Sequence, residues 1–351
     1  MPEPVVEAAF AVPGDLASPT GGYAYARHLL AHLPGCGIRV EHLPLPGGFP
    51  APEDAALAEA ADRLASVPAG RVLLVDGLAY GAMPAERLRA VRAPMVALVH
   101  HPLALESGLA PEPRARLAVS ERAALSLARR VVATSAHTAR GLVGDYGVRP
   151  DAITVAEPGT EPARRARGSG EPLALLAVGA VTPRKAFPLL VEALRAFDAP
   201  PWRLTIVGTL DRDPGEAARL RAAVLEAGLG DRVVLAGAVD AAGLDALHDA
   251  ADLLVSASLY EGYGMALAEG IARGLPVVAA SGGAAAETVP PGCGLLVPPG
   301  DAAALRDALG RMLADPAFRR GCADAAWTAA RTLPRWEDTA ARVAEALRAA
   351  T

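Results

Sequence analysis

The stretch Ser258-Leu-Tyr-Glu-Gly-Tyr-Gly-Met-Ala-Leu-Ala-Glu-Gly270 decides how this chain is interpreted, because an apolar strand gives way there to a helix. The apolar segment 252–256 predicts the strand, residues 265–272 have helical composition, and Gly262-Tyr263-Gly264 is the turn between them. A helix that begins after a glycine turn directs unpaired backbone N–H groups and the positive end of its dipole at one spot. That spot favours an anion, and a phosphate above all.

Two acids flank this junction. Glu261 precedes the predicted helix and Glu269 lies about a turn and a half inside it, which places their carboxylates on the order of 10 Å apart. The paired acids of a retaining glycosidase lie only about 5 Å apart. The longer spacing suits two acids that each bind hydroxyls of one extended ligand, with a phosphate between them. The alternative is that Glu261 is an acid favoured near a helix start and Glu269 a solvated surface residue.

The composition predicts a two-domain globular protein and excludes several classes. The chain has 351 residues, 52% of them apolar and only 4% aromatic, and its net charge is −5. Interspersed acids and bases argue against a nucleic-acid binder and against a polybasic membrane anchor. No run approaches the length of a membrane span, and the N-terminus lacks a basic start, so we expect a cytoplasmic protein. Three widely spaced cysteines, Cys36, Cys293 and Cys322, indicate buried thiols rather than disulfides or a zinc site.

Lysine usage singles out one residue. The chain has 34 basic residues, and all but Lys185 are arginine. A bias toward arginine should spare lysine where a compact ammonium matters, as when it binds phosphate as a point charge. The alternative is the chance survival of one surface lysine.

The first half alternates short apolar strands with amphipathic helices, which is typical of a parallel sheet covered on both faces. Ligands of such sheets bind beyond the carboxyl ends of the strands, where His100 and His101 lie. The pair Gly21-Gly22 is predicted at a strand-to-helix turn, either as a close approach to a ligand or as a plain turn. Residues 157–172 carry turn and linker signals without apolar periodicity, and we place the hinge between two domains there.

The second half repeats the pattern. A buried strand over 173–180 is followed by a turn with the basic pair Arg184-Lys185 and then by a helix. A basic pair at a helix start is disfavoured by the dipole, which argues for a ligand over an exposed surface pair. A further strand is predicted over 232–236, and Val239 lies in the loop that follows it.

Glu261 and Glu269, with seven residues between them, resemble the E-x7-E motif of the retaining nucleotide-sugar glycosyltransferases of family four, which have the GT-B fold. The run Gly274–Gly283, then Glu287 and Gly294–Asp301, is similar to that family in order and spacing. The resemblance implies an α/β fold of two Rossmann-like domains whose parallel sheets face a central cleft. It divides the chain into an acceptor-binding domain over 1–160, a donor-binding domain over 161–334 and a C-terminal helix over 335–351 that crosses back to the first domain.

The same resemblance implies the roles of the site residues. Glu269 is expected to bind the ribose hydroxyls, Glu261 the hydroxyls of the donor sugar, and Lys185 the diphosphate. Ala180 stands where the family usually has an arginine, and Arg184 is the expected substitute. His100 matches the family's histidine better than His101, because a proline follows two residues on. The expected catalytic residues are His100, His101, Arg184, Lys185 and Glu261. The expected donor-binding residues are Gly21, Gly22, Arg184, Lys185, Val239, Glu261, Gly262, Tyr263, Gly264, Met265, Ala266 and Glu269.

The implied activity is transfer of a hexosyl group, with retention, from a UDP-sugar or GDP-sugar donor to an acceptor that the sequence does not identify: a sugar, a lipid-linked glycan or a small molecule. We expect no metal and no other cofactor, because Lys185, Arg184 and the helix N-terminus can neutralise the departing diphosphate. The resemblance also allows peripheral membrane contact, although no basic amphipathic helix here favours it. Two alternatives stay open: a weak or inactive nucleotide-sugar-binding protein, favoured by Ala180, and a GT-B-like sugar-nucleotide epimerase.

Overall fold

The computed structural model describes residues 5–351. The chain separates into two compact units, of which the first runs to Gly159 and resumes at Pro334–Thr351, and the second is Thr160–Leu333. Within the described residues, no helix is both long and apolar enough to cross a membrane.

The first unit contains a parallel sheet with the strand order β2-β1-β3-β4-β5-β6 among the described residues. Its strands are β1 (Val6–Pro13), β2 (Ile38–Leu45), β3 (Val72–Asp76), β4 (Met95–Val99), β5 (Arg130–Ala133) and β6 (Ile153–Val155). Its helices up to the domain boundary are α1 (Gly21–His32), α2 (Asp54–Ala65), α3 (Gly77–Ala82), α4 (Ala85–Leu88), α5 (Pro111–Leu125) and α6 (Ala136–Gly144). Every residue of β3 and β4 is buried, as expected for central strands covered on both faces.

The second unit repeats the plan, with the strand order β12-β11-β10-β7-β8-β9 in the part of the chain that the structure describes. Its strands are β7 (Leu173–Val178), β8 (Trp202–Val207), β9 (Val233–Gly237), β10 (Leu253–Ser256), β11 (Val277–Ala280) and β12 (Gly294–Val297). Its helices are α7 (Phe187–Leu194), α8 (Pro214–Glu226), α9 (Ala241–Ala250), α10 (Met265–Ala272), α11 (Ala285–Thr288), α12 (Ala302–Ala314) and α13 (Pro316–Ala329). The last helix of the chain, α14 (Trp336–Arg348), belongs to the first unit.

Alternating residues of the central strands build two apolar layers in the second unit. In β10, Leu253 and Val255 pack into one hydrophobic cluster, whereas Leu254 packs into another. In β11, Val278 and Val277 divide in the same way. Successive side chains of a strand point to opposite faces, so helices cover this sheet on both sides. The α/β fold with two parallel sheets predicted from the alternating pattern is therefore confirmed.

Two local features differ from the sequence-based expectation. Gly21 and Gly22 are the first residues of α1 rather than its turn, because Thr20 is the extended N-cap and the turn is formed by the preceding residues. The expected linker is also shorter than 157–172. The N–H of Ala166 donates to the Arg273 carbonyl and the N–H of Gly168 to the Asp249 carbonyl, so this part of the segment is bound to the second unit.

Candidate active site

A glycine-bearing turn connects β10 to α10 in the second unit. The N-cap of α10 is Gly264, whose φ of 102° lies in the region that side chains disfavour. The helix begins at Met265, so the backbone N–H groups of Met265 and Ala266 have no acceptor within the helix. The structure thus places the predicted N–H groups and dipole end after the strand, at the residues that the sequence indicated.

A second glycine pair holds this turn in place. The N–H of Glu261 donates to the Gly282 carbonyl at 3.2 Å, and Glu261 and Gly283 form a parallel β-bridge. A Cβ on Gly283 would lie 2.2 Å from the Glu261 carbonyl oxygen, and one on Gly282 would lie 2.0 Å from that of Leu259. Only glycine permits such a close backbone approach, so Gly282-Gly283 fixes the position of Glu261.

Glu261 is paired with both predicted cations. Lys185 Nζ lies 2.6 Å from Glu261 Oε1, and Arg184 Nη1 lies 3.4 Å from Oε2. Only 10% of the Glu261 side chain is exposed, against 18% for Arg184 and 14% for Lys185. The structure therefore brings three predicted site residues into one largely buried ion cluster.

The electrostatics keep Glu261 ionised. Burial alone would raise the pKa of this carboxyl, but the charges of Lys185 and Arg184, with hydrogen bonds from Lys185 and Ser258, outweigh burial and lower the pKa to about 2. An ionised carboxylate is an acceptor only, with about four lone-pair sites for donors. Glu261 can therefore keep Lys185 and Ser258 and still accept hydrogen bonds from a ligand.

The turn between β7 and α7 places the lysine. A Cβ on Gly179 would lie 2.7 Å from Lys185 Cε, so the lysine side chain passes directly over this glycine. Arg184 donates from Nη1 to the Tyr260 carbonyl at 2.7 Å as well as to Glu261, and its own carbonyl accepts from the N–H of Leu259. Arg184 thus shares the cluster with Lys185, although part of its hydrogen-bonding capacity is used by the neighbouring turn.

Glu269 lies in α10 and is half-buried. Burial raises the pKa of its carboxyl, while the nearby Arg273 charge acts in the opposite direction. Arg273 also donates to the Glu269 carbonyl at 3.1 Å. The alternative that Glu269 is a freely solvated surface acid does not fit this environment.

The aromatic residue of the turn is part of the core. Tyr263 is 8% exposed and packs in the same apolar cluster as Leu267, with Val239 and Met265 packed against that cluster. Its carbonyl accepts a hydrogen bond from Thr288 Oγ1. The structure brings Val239, Tyr263 and Met265 together and buries Tyr263 in this cluster.

The two histidines follow β4 in the first unit and have different surroundings. His100 Nε2 lies 3.4 Å from Asp76 Oδ2, and a Cβ on Gly22 would lie 3.5 Å from the same nitrogen. His101 Nε2 instead lies 3.4 Å from Glu106 Oε2, within the turn that follows it. Of the two, His100 is therefore the histidine that the fold places beside the predicted glycine pair.

A buried acid anchors the segment after the histidines. Glu121 of α5 is 1% exposed, and its Oε2 accepts from the N–H of Leu103 at 2.9 Å. Burial raises the pKa of Glu121 to about 7, against the hydrogen bonds from Leu103 and Tyr146. A Cβ on Gly81 of α3 would lie 3.0 Å from Glu121 Oε1, so this glycine makes room for the carboxyl.

The triplet Asp211-Arg212-Asp213 has the Asp-x-Asp spacing of many metal sites. The expectation that no metal is needed therefore rests only on the positive charges of Lys185, Arg184 and the helix N-terminus. In the structure Asp213 is the N-cap of α8, and its Oδ1 accepts from the N–H of Glu216 at 2.9 Å. A helix cap accounts for Asp213.

Several residues that position this site are not among the expected site residues. Gly179 and Gly282 permit close approaches, Ser258 supports Glu261, and Asp76 faces His100. The sequence carried a signal for two of them, since Asp76 ends the buried strand β3 and Gly282 lies two residues after the buried strand β11.

Two family models match the chain in tandem. The family described as "Glycosyl transferase 4-like domain" matches residues 8–159, and "Glycosyl transferases group 1" matches residues 160–328. The chain belongs to the group 1 glycosyltransferases of the GT-B fold. The family predicted from the E-x7-E stretch is thereby confirmed.

Relatives of this glycosyltransferase include two D-inositol 3-phosphate glycosyltransferases. The one from Acidothermus cellulolyticus is 34% identical over 235 residues, which cover 62% of this chain and 52% of that protein. The one from Pseudarthrobacter chlorophenolicus is 34% identical over 265 residues, which cover 71% of this chain and 62% of that protein. The matches thus span between about half and three fifths of the length of these relatives.

Solved structures agree with the GT-B fold of this glycosyltransferase. Sucrose-phosphate synthase from Thermosynechococcus elongatus has a TM-score of 0.82 at 23% identity, with 98% of both chains covered. Anabaena HepE in complex with UDP-glucose has a TM-score of 0.80 at 20% identity, with 97% of this chain and 99% of that chain covered. At these identities the likeness supports the fold and not the substrate.

Proposed function

We propose that this glycosyltransferase transfers a hexosyl group from a UDP-sugar or GDP-sugar to an acceptor hydroxyl, with retention at the anomeric carbon. The observation that carries the proposal is the ion cluster of Lys185, Arg184 and Glu261 beside the turn that begins α10. Two cations against one carboxylate leave one net positive charge, close to a helix N-terminus that also favours an anion.

The chemistry asks mainly for stabilisation of the leaving group. The bond from the anomeric carbon to the diphosphate oxygen breaks, and its electron pair stays on the diphosphate. The acceptor oxygen bonds to that carbon, and its proton leaves with the diphosphate. Negative charge therefore develops where Lys185 and Arg184 can donate, and preorganised donors of this kind supply much of an enzyme's rate enhancement. An ammonium has three donors, so Lys185 can keep Glu261 and still bind a phosphate oxygen.

The two acids then bind hydroxyls rather than form a covalent intermediate. Glu261 is ionised and its cations hold it in place, which suits it to accept from the hydroxyls of the donor sugar. Glu269, half-buried in α10, is assigned to the ribose hydroxyls. The backbone around Val239 and Met265 lines the nucleotide end of this proposed donor site.

No metal is assigned a role, because Lys185, Arg184 and the N-terminus of α10 supply the positive charge that the diphosphate needs. Transfer that persists in excess EDTA, measured as nucleoside diphosphate released, would support this assignment. Loss of transfer in EDTA and recovery with Mg²⁺ or Mn²⁺ would refute it.

The acceptor is proposed by analogy with the named relatives. Because D-inositol 3-phosphate glycosyltransferases match the chain over about half of their length, D-inositol 3-phosphate is the first acceptor to screen, followed by sugars, lipid-linked glycans and small molecules. UDP-glucose is the first donor to screen, since HepE was solved with it. Proton NMR of the product reports whether the anomeric configuration is retained.

One observation favours a second candidate, a nucleotide-sugar-binding protein with weak or no activity. Ala180 replaces the expected arginine, and Arg184 spends one donor on the Tyr260 carbonyl. Thermal unfolding with UDP, GDP, ADP, dTDP and their sugars tests both candidates, because a ligand of the folded state raises the melting temperature. Stabilisation with transfer supports the enzyme, whereas stabilisation with an intact donor supports the binder. A changed sugar in the recovered donor would support the epimerase alternative. An unchanged melting temperature with every nucleotide would refute the proposed donor site.

A further inference from the structure

Asp76 occupies a junction between a strand and a helix in the first unit. It ends β3 and is the N-cap of α3, where its Oδ1 accepts from the N–H of Leu78 at 2.9 Å. The residue is 3% exposed. One carboxylate oxygen is thus committed to the helix, and the other, Oδ2, faces His100 Nε2 at 3.4 Å.

Both the ring and the backbone of His100 are held in place by neighbouring side chains. The ring of Tyr25 meets the ring of His100 edge-on, with centroids 5.3 Å apart and an interplanar angle of 87°. The hydroxyls of Thr134 and Thr138 donate to the His100 carbonyl at 3.0 and 3.3 Å. This fixed backbone and ring leave His100 little freedom to turn away from Asp76.

The two nitrogens of the ring are not equivalent. Nε2 is buried, and among the described residues no well-directed hydrogen bond reaches it, whereas 22% of the His100 side chain is exposed. An ionised carboxylate is an acceptor only, so it repels a nitrogen lone pair and attracts an N–H. Of the two neutral tautomers of the ring, Asp76 therefore favours the one that carries its proton on Nε2. The hydrogen bond made by one ring nitrogen then fixes the role of the other.

Other groups near the ring do not compete for this role. The Tyr25 hydroxyl donates to the Ala156 carbonyl at 2.9 Å, and burial raises the pKa of Tyr25 above its usual range, so the phenol stays neutral. Gly22 contributes no side chain. In the part of the chain that the structure describes, Asp76 is the charged group that contacts the imidazole.

We propose that Asp76 is a positioning residue for His100. Its carboxylate holds the proton on Nε2, so that Nδ1 keeps its lone pair and accepts a hydrogen bond from a substrate hydroxyl. The substrate half of this inference rests on the proposed function, whereas the tautomer is a property of the protein without ligand.

Nitrogen-15 NMR of histidine-labelled protein, at alkaline pH and without ligand, tests the tautomer directly. A His100→Gln variant assigns the signals. In the wild type the long-range proton–nitrogen correlations should show a protonated Nε2. The substitution Asp76→Asn keeps an oxygen for the N–H of Leu78 but turns an amide N–H toward the ring, so the protonated nitrogen should become Nδ1. Asp76→Ser, another good helix cap, removes the carboxylate oxygen that faces the ring, so the preference for a proton on Nε2 should weaken in this variant if the asparagine variant does not fold.

The matched control is Asp315→Asn in α13. Asp315 is also an N-cap whose Oδ1 accepts a backbone N–H at 2.9 Å, that of Phe318. This variant should leave the His100 tautomer and kcat/KM unchanged, while Asp76→Asn lowers kcat/KM about tenfold, as expected for one misdirected hydrogen bond.

A wild-type ring protonated on Nδ1, or an unchanged tautomer in both Asp76 variants, overturns the inference. A tautomer switch without loss of transfer overturns its substrate half. Failure of every donor to bind refutes the proposed function, and the tautomer measurement still decides the role of Asp76.

Discussion

Replacing Lys185 with alanine tests the ion cluster most directly. The change removes the cation 2.6 Å from Glu261 Oε1 and leaves the carboxylate of Glu261, whose side chain is 10% exposed, beside Arg184 alone. The surroundings lower the pKa of Glu261 from 4.5 to about 2, so they favour its charged form by about 3 kcal/mol. Breaking such a buried pair costs about 3–5 kcal/mol, so we expect Lys185→Ala to lower the free energy of unfolding by about 3 kcal/mol.

The pH dependence of this loss has a definite sign. Because the folded-state pKa of Glu261 is depressed, its stabilising contribution is present above about pH 4.5 and is lost as the pH falls through about 2. Without Lys185 the pKa of this carboxyl rises toward its ordinary value, so the variant should lose less stability than the wild type between pH 5 and pH 2, and the two proteins should converge at the acidic end. The assay is urea unfolding at several pH values, followed by circular dichroism.

Two further variants make the test specific. Adding Glu261→Gln to Lys185→Ala removes the uncompensated carboxylate, so the double variant should be more stable than the sum of the single changes predicts, by about 1–3 kcal/mol. Arg195→Ala, which removes an exposed cation at the end of α7, should change stability by less than about 0.5 kcal/mol. Strict additivity of the two cluster changes, or a Lys185→Ala protein as stable as the wild type, would refute the argument from the ion pair. With an active donor, the same variant should lose at least about tenfold in kcat/KM.

Three further outcomes are expected. Glu269→Ala should weaken UDP or GDP binding in calorimetry while the melting temperature is retained, and unchanged affinity would remove Glu269 from the donor site. Glu121→Gln should flatten the pH dependence of stability: burial raises the pKa of Glu121 to about 7, so its contribution is present below about pH 4.5 and falls by about 3 kcal/mol as the pH rises through 7. Urea unfolding at pH 5 and pH 8 checks this, and an equal fall in both proteins would contradict it. In Gly179→Ala, the new Cβ would lie 2.7 Å from Lys185 Cε and should displace the flexible lysine side chain. We expect kcat/KM to fall about tenfold and the free energy of unfolding to fall by roughly 1 kcal/mol. A normal rate would show that Lys185 need not pass over this glycine.

The fold could be predicted because its signals are local. Buried strands such as β4 are continuous apolar runs, and α10 begins and ends at the residues that the sequence pattern indicated. Family resemblance in the stretch around Glu261 then supplied the GT-B fold, which periodicity alone does not give.

The site was only half predictable. Lys185, Arg184 and Glu261 were found from their residue types and turns, but their meeting depends on contacts about 76 residues apart in sequence. The close approach of Gly283 to Glu261 and the pairing of Asp76 with His100 join neighbouring strands and loops, and only the folded chain shows them. The N-terminus of α1 was misplaced because Thr20, and not the glycine pair, takes the extended capping conformation.

The lone lysine also makes the site chemically addressable. Apart from the chain's α-amino group, Lys185 Nζ is the one primary amine in the sequence. Reductive methylation with carbon-13 formaldehyde would therefore place a single side-chain NMR label at the ion pair with Glu261, 14% exposed and read without assignment of any other residue. A bound anion would shift that one resonance, and protection of the amine from the reagent would report occupancy.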